Sequence, residues 1–186
     1  MKYPNLPFFP LSKGRTHEVC GAGTLAFAGA LAAEVRGSVL WVRETWQPEQ
    51  LHPQGFADFL NLADLVLCKA KNQIDALAVA EDALRSGAVP LVVVEVSKPL
   101  NLTHGRRLQL AARAGRNIGL VIMPEGMGSN AAETRWQCEP MFDPETEDST
   151  LQRWKLIKNK SGTLGVWYVR WDRATRRLFV VSSSGE

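Results

Sequence analysis

The chain has 186 residues, 45% of them hydrophobic and 22% charged, with a formal net charge of +3. This is the balance of an ordinary globular domain able to bury a substantial core, and it excludes wholesale disorder. The net charge hides a gradient: residues 1–142 hold 14 basic and 13 acidic side chains, 143–150 four acids and no base, and 151–186 eight bases and two acids, so an anionic partner is expected to meet the C-terminal end.

In chain order, Pro4, Pro7 and Pro10 interrupt any signal-peptide helix in an N-terminal arm taken as residues 1–15. The longest strongly apolar helical run, 25–33, is too short to span a bilayer, and a cytoplasmic protein without a membrane partner is expected. Thr16-His17-Glu18-Val19-Cys20 reads as a strand entering the turn Gly21-Ala22-Gly23, followed by a helix over 24–35 and a β-branched, aromatic strand over 38–43. A strand over 65–69 leads to Asn72, the cap of a helix with Ile74, Leu77, Ala78 and Leu84 on one apolar stripe and Gly87 at its end. Residues 91–96 are apolar on both faces, as a buried parallel strand requires. Thr103 is read as opening the basic helix around 106–113, with a strand at 118–123.

The alternation then stops. Residues 124–133 are Gly-rich and loop-like, 134–142 extended, and 143–150 an acidic spacer. Residues 151–159, 166–172 and 178–182 are candidate antiparallel strands, with Ser182-Ser183-Ser184-Gly185 expected to fray. Repeated strand–helix units mean an α/β fold of three layers, a mostly parallel central sheet flanked by helices. Here the sheet is extended by C-terminal hairpin strands, with 16–142 as the core and 151–186 as part of the same domain.

A phosphate-binding loop needs backbone N–H groups at a helix N-terminus, a lysine for charge and a Ser or Thr for magnesium. The turn offers Gly21, Gly23 and Thr24 without the lysine; small residues for a tight turn or a weak anion site both remain open, and efficient nucleotide hydrolysis is excluded. Glu95 ends its strand where ligands meet parallel sheets, either as a magnesium-orienting acid or as a structural carboxylate paired with Lys98 or an arginine of the next helix. Cys20, Cys68 and Cys138 are far apart and lack Cys-x-x-Cys spacing, which argues against a disulfide framework or zinc site. His17, Glu18 and Cys20 alternate faces of one strand, so no metal is expected. The C-terminal hairpin interleaves Trp154, Trp167, Trp171 and Tyr168 with Arg153, Lys155, Lys158, Lys160 and Arg170. Period-two alternation fits a half-buried sheet, while aromatics beside cations fit a protein interface or a stacking surface for single-stranded nucleic acid.

From Thr16 to Asp172 the chain resembles the RecA core. His17-Glu18-Val19 before the Gly turn is similar to the strand entering the ATP loop, Ala83-Leu84-Arg85-Ser86-Gly87 and the run to Val94 to the helix and Walker B strand, and Arg106-Arg107-Leu108 to the next helix. Ser129-Asn130-Ala131 resembles the close of the second DNA-binding loop, and Leu156-Ile157-Lys158-Asn159-Lys160 the strand whose lysines reach the ATP of a neighbouring protomer. The missing phosphate lysine, the short loop over 124–129 and the reduced N-terminal arm, together with Trp41-Val42-Arg43, resemble the ImuA family of degenerate RecA relatives. That resemblance implies a non-catalytic adaptor without a cofactor in SOS-induced translesion synthesis. It implies an ImuB-like polymerase-family partner, RecA, an error-prone replicative-type polymerase reached through the complex, and at most indirect contact with DNA. Lys158, Lys160, Trp154, Trp167, Arg170 and Trp171 are the expected partner-facing residues. The alternatives are a SulA-type division inhibitor, then a RecA-like ATP- and DNA-binding protein, then a stand-alone nucleic-acid-binding module.

Overall fold

The computed structural model describes residues 6–49, 51–144, 146 and 149–184. Nine strands form one sheet in the order β3-β2-β4-β5-β1-β6-β7-β8-β9. The strands β1 (Arg15–Cys20), β2 (Val39–Glu44), β3 (Leu65–Ala70), β4 (Leu91–Glu95), β5 (Ile118–Ile122) and β6 (Thr134–Pro140) run parallel. The strands β7 (Gln152–Asn159), β8 (Gly165–Asp172) and β9 (Arg177–Ser184) continue the sheet as antiparallel hairpins. This is the three-layer α/β architecture the sequence leads one to expect.

Alternation along each strand divides the core in two. Val93 and Leu91 join Phe27 of α1 (Thr24–Val35) and Phe56 of α2 (Pro53–Ala57) on one face; Val92 and Val94 join α3 (Gln73–Ser86) and α4 (Leu102–Gly115) on the other. The first face is built on aromatic rings. Phe27 lies 4.6 Å from the ring of Trp154 and 5.6 Å from that of Trp136, and Phe9 of the N-terminal arm closes on Phe27 and Trp154 at 5.5 and 5.3 Å. The arm is thereby fastened to the core through Leu6, Phe9 and Leu11.

Local capping explains the helix limits. Asn72 Oδ1 accepts from Asp75 N at 3.0 Å, and α3 ends on Gly87 in the left-handed region, φ 68°. The stripe on α3 differs from the expected one: Ala76, Leu77, Ala80 and Leu84 are buried, while Ile74 and Ala78 face out, because the helix packs against α4 as well as the sheet and its buried arc is rotated toward that neighbour. α4 starts two residues early, on Asn101, whose Oδ1 accepts from His104 N at 2.8 Å; Thr103 already lies in the first turn. β9 continues through Ser184, paired with Val166, where fraying was expected; Gly185 lies outside the described residues, as do Glu145, Glu147 and Asp148 of the acidic spacer. Asp143 of that spacer is buried.

Candidate functional site

The Gly21 turn, Thr24 and the end of β4 border a cleft of about 380 Å³ at the carboxyl edge of the parallel strands, lined also by Gln47, Met123 and Glu125. The turn is pressed against β6. Gly21 sits at φ 93°, a Cβ on it would collide with Cys138 O, and Gly23 N donates to that same carbonyl at 2.8 Å. The glycines are thus required for close approach of two backbones, and one amide of the would-be phosphate cradle is already spent. The two ionisable side chains lining the cleft are both carboxylates, Glu95 and Glu125, so a triphosphate would find no cation in the lining to receive it.

Glu95 has a different partner from the expected Lys98 or α4 arginine. β2 lies beside β4 with Val42 opposite Val94, which brings Arg43 to Glu95. Arg43 Nη2 donates to Glu95 Oε2 at 3.1 Å and Trp41 Nε1 to Oε1 at 2.6 Å, while Arg43 also reaches Gln47 Oε1 at 3.0 Å and Glu49 O at 2.6 Å. Both carboxylate oxygens are therefore held by donors from β2. Among the described residues no three His, Cys, Asp or Glu side chains converge as a metal site.

Lys158 and Lys160 are brought to the 129–132 segment by antiparallel pairing of β7 with β6, Lys158 opposite Arg135. Lys158 Nζ donates to Ser129 O at 3.3 Å, to Asn130 O at 3.1 Å and to Ala132 O; Lys160 Nζ donates to Ala131 O at 2.7 Å. Below them Glu18, 1% exposed, accepts from Ser129 N at 2.7 Å and Arg135 Nε at 2.8 Å. Desolvation, with Arg135 and Lys160 close by, lowers the Lys158 pKa against the pull of Glu18 and Glu133. Two ammonium groups and Arg135 hold one short loop through its carbonyls, and Glu18 holds it through the Ser129 amide. Sequence reasoning did not pair Glu18 with Arg135; the available signal was a carboxylate on a strand of a sheet expected to be covered on both faces, where it needs a partner.

Trp154, Trp167 and Trp171 are 1%, 8% and 7% exposed. They form core rather than a presented aromatic surface: Trp154 Nε1 donates to Gln152 Oε1 at 2.8 Å, and the Trp171 ring lies 4.7 Å from that of Phe59. Alternation puts Arg153, Lys155, Tyr168 and Arg170 on the opposite, half-buried face. Arg170 is bound to the Asp143 carboxylate, which also accepts from Ser149 Oγ at 2.6 Å, so the start of the acidic spacer is fastened to β8.

Two curated relatives, both named Protein ImuA and from two strains of Caulobacter vibrioides, are each 29% identical to this chain over 192 aligned positions, covering 88% of it and 78% of their own length. No family model matches the chain.

Proposed function

The chain belongs to the ImuA family, and from that premise we propose that it is a non-catalytic adaptor of RecA-like fold in SOS-induced translesion synthesis. It works in the cytoplasm within an ImuA/ImuB mutasome, holding a polymerase-like ImuB partner and, through it, an error-prone replicative-type polymerase. The observation that carries the non-catalytic reading is the cleft, where Gly21 and Gly23 are pressed onto β6 and Glu95 and Glu125 stand with no lysine or arginine among the lining residues. Phosphoryl transfer rests on positioned cations around the transferring group, and their loss costs orders of magnitude in rate. A fold of this kind without that charge retains binding as its work. No helix among the described residues is long and apolar enough to cross a membrane.

The partner-facing region of this reading is the C-terminal hairpin sheet. Arg170, Lys158 and Lys160 lie at its surface, and Trp154, Trp167 and Trp171 support it rigidly from behind. Contact with RecA is assigned to Lys158 and Lys160 meeting the ATP of a terminal filament protomer. Because these ammonium groups rest on carbonyls of 129–132 in the free chain, docking exchanges carbonyl oxygens for phosphate oxygens, a stronger charge-assisted pairing.

DNA-stimulated ATP turnover by the purified chain tests the central part. The expected result is no turnover above a protein-free blank; turnover that disappears in Glu95→Ala contradicts it. Binding to RecA filaments held with a non-hydrolysable ATP analogue, against nucleotide-free RecA, tests the filament contact in wild type and in Lys158→Ala/Lys160→Ala. Equal binding in all four combinations removes the contact while leaving the adaptor reading intact.

A further inference from the structure

α4 is held rigidly on three sides. Leu108, Ala111 and Ala112 are buried, Gln109 Oε1 accepts from Thr16 N at 2.8 Å and Thr16 Oγ1 at 2.7 Å, and Gly105 is so close to Ser129 Oγ that a Cβ would collide with it. Its outward stripe is unusual for a solvated helix face. Leu102 is 46% and Leu110 64% exposed, two turns and about 12 Å apart, with exposed Arg106 between them on the same side and exposed Arg113 beyond.

The charge on this face is unneutralised. α4 contains no acidic residue. Arg106, Arg113, Arg116 and Lys13 make no ion pair among the described residues, and Lys13 is brought to this end of the helix by Gly14 N donating to Asn117 O at 2.7 Å. The nearest acids on α3 are already engaged: Glu81 holds Arg85 and Arg107, and Asp82 meets Arg85 at 3.6 Å. Basic residues near a helix C-terminus complement its dipole, which accounts for Arg113 and Arg116. It accounts neither for Arg106 in the middle of the helix nor for the two exposed leucines.

From this we infer that the outward face of α4 is a docking surface for an amphipathic helix of a protein partner, one that carries acidic residues beside an apolar stripe. Arg106 and Arg113 pair with its carboxylates, and Leu102 and Leu110 lose water against its apolar side chains, the mode in which a helix reads spaced anchors on its partner. A nucleic-acid backbone would use the arginines and leave the leucines in water, so the leucines decide in favour of protein. The inference rests on this surface and not on the adaptor reading.

The probe is a fluorescent synthetic helix with leucine at i, i+4, i+7 and i+11 and glutamate on its flanks, measured by anisotropy beside the same helix with lysine for glutamate and a single-stranded thymidine oligonucleotide. The acidic helix is expected to bind wild type. Arg106→Glu/Arg113→Glu is expected to weaken it at least about tenfold, and Leu102→Gln/Leu110→Gln severalfold. Ile74→Ser, an equally exposed change on α3, is expected to leave it unaltered. All these positions are exposed, and unchanged thermal melting confirms that the variants fold. Failure of the acidic helix to bind, or binding indifferent to both double variants, overturns the inference. So does oligonucleotide binding that is lost on charge reversal while the acidic helix stays unbound, which would mark the face as a phosphate surface.

Discussion

His17 should make the fold acid-labile in a defined window. It is 1% exposed on the central strand β1. Nε2 faces the Ser12 carbonyl at 3.1 Å and therefore carries the proton, so Nδ1 accepts from Thr134 Oγ1 at 2.7 Å, and that hydroxyl accepts in turn from Trp136 Nε1 at 3.1 Å. A proton on Nδ1 would force Thr134 to accept twice and leave its own hydrogen without an acceptor. Burial, partly opposed by the Ser12 carbonyl and assisted by Arg15, lowers the His17 pKa to about 4. The unfolded chain, with an ordinary histidine near 6.5, takes up the proton first as pH falls. His17 therefore contributes full stability above about pH 6.5, loses about 1 kcal/mol of it by pH 5.5 and about 3 kcal/mol near pH 4, with little further change below. Urea unfolding across this range, comparing wild type with His17→Gln, reads the difference directly. The wild-type curve should fall more steeply than that of the variant between pH 6.5 and 4. Parallel curves would refute the reasoning.

Gly21→Ala combines positive φ with a backbone collision and is expected to cost about 2 kcal/mol or more, whereas Gly55→Ala, with nothing within 4 Å of the new methyl, should be neutral or slightly stabilising; indistinguishable melting curves would contradict this. Arg43→Met strands the half-neutralised Glu95 carboxylate and should cost about 3 kcal/mol by urea midpoint. Adding Glu95→Gln, which still accepts from Trp41, should recover part of that, and no recovery in the double variant counts against the pairing. Burial first, then Glu125, raises the Cys20 thiol to about 11, and burial lifts Cys138 well above its ordinary value. A thiol-disulfide reagent at pH 8 should accordingly find one fast thiol, half-buried Cys68 on the edge strand β3, and two only after denaturation; two fast thiols in the native chain would show the β1–β6 junction to be open.

What could be read from the sequence was what is decided locally. The β-branched run of β4 and the Asn72 and Gly87 caps of α3 depend on neighbours a few residues away, and alternation along β8 correctly separates Trp167, Val169 and Trp171 from Tyr168 and Arg170. Asn101 and Thr103 are both good capping residues two positions apart, and the local pattern alone does not decide that Asn101 is the one that caps α4. The five-residue α2, opened by Pro53 after His52, is too short to show a period. The site was less legible because its contacts are set by strand order. Arg43 meets Glu95 only because β2 sits beside β4, and Lys158 reaches the 129–132 carbonyls only because β7 runs antiparallel to β6. Neither adjacency is encoded in spacing along the chain.

The adaptor account is tested most directly by what the chain holds in the cell. A tagged copy at native level, recovered after DNA damage and resolved by mass spectrometry, is predicted to bring down a polymerase-family partner in stoichiometric amount, together with the error-prone polymerase bound to it. Recovery of a tubulin-like division protein instead, with blocked septation and no polymerase, would contradict the account and place the chain among division inhibitors.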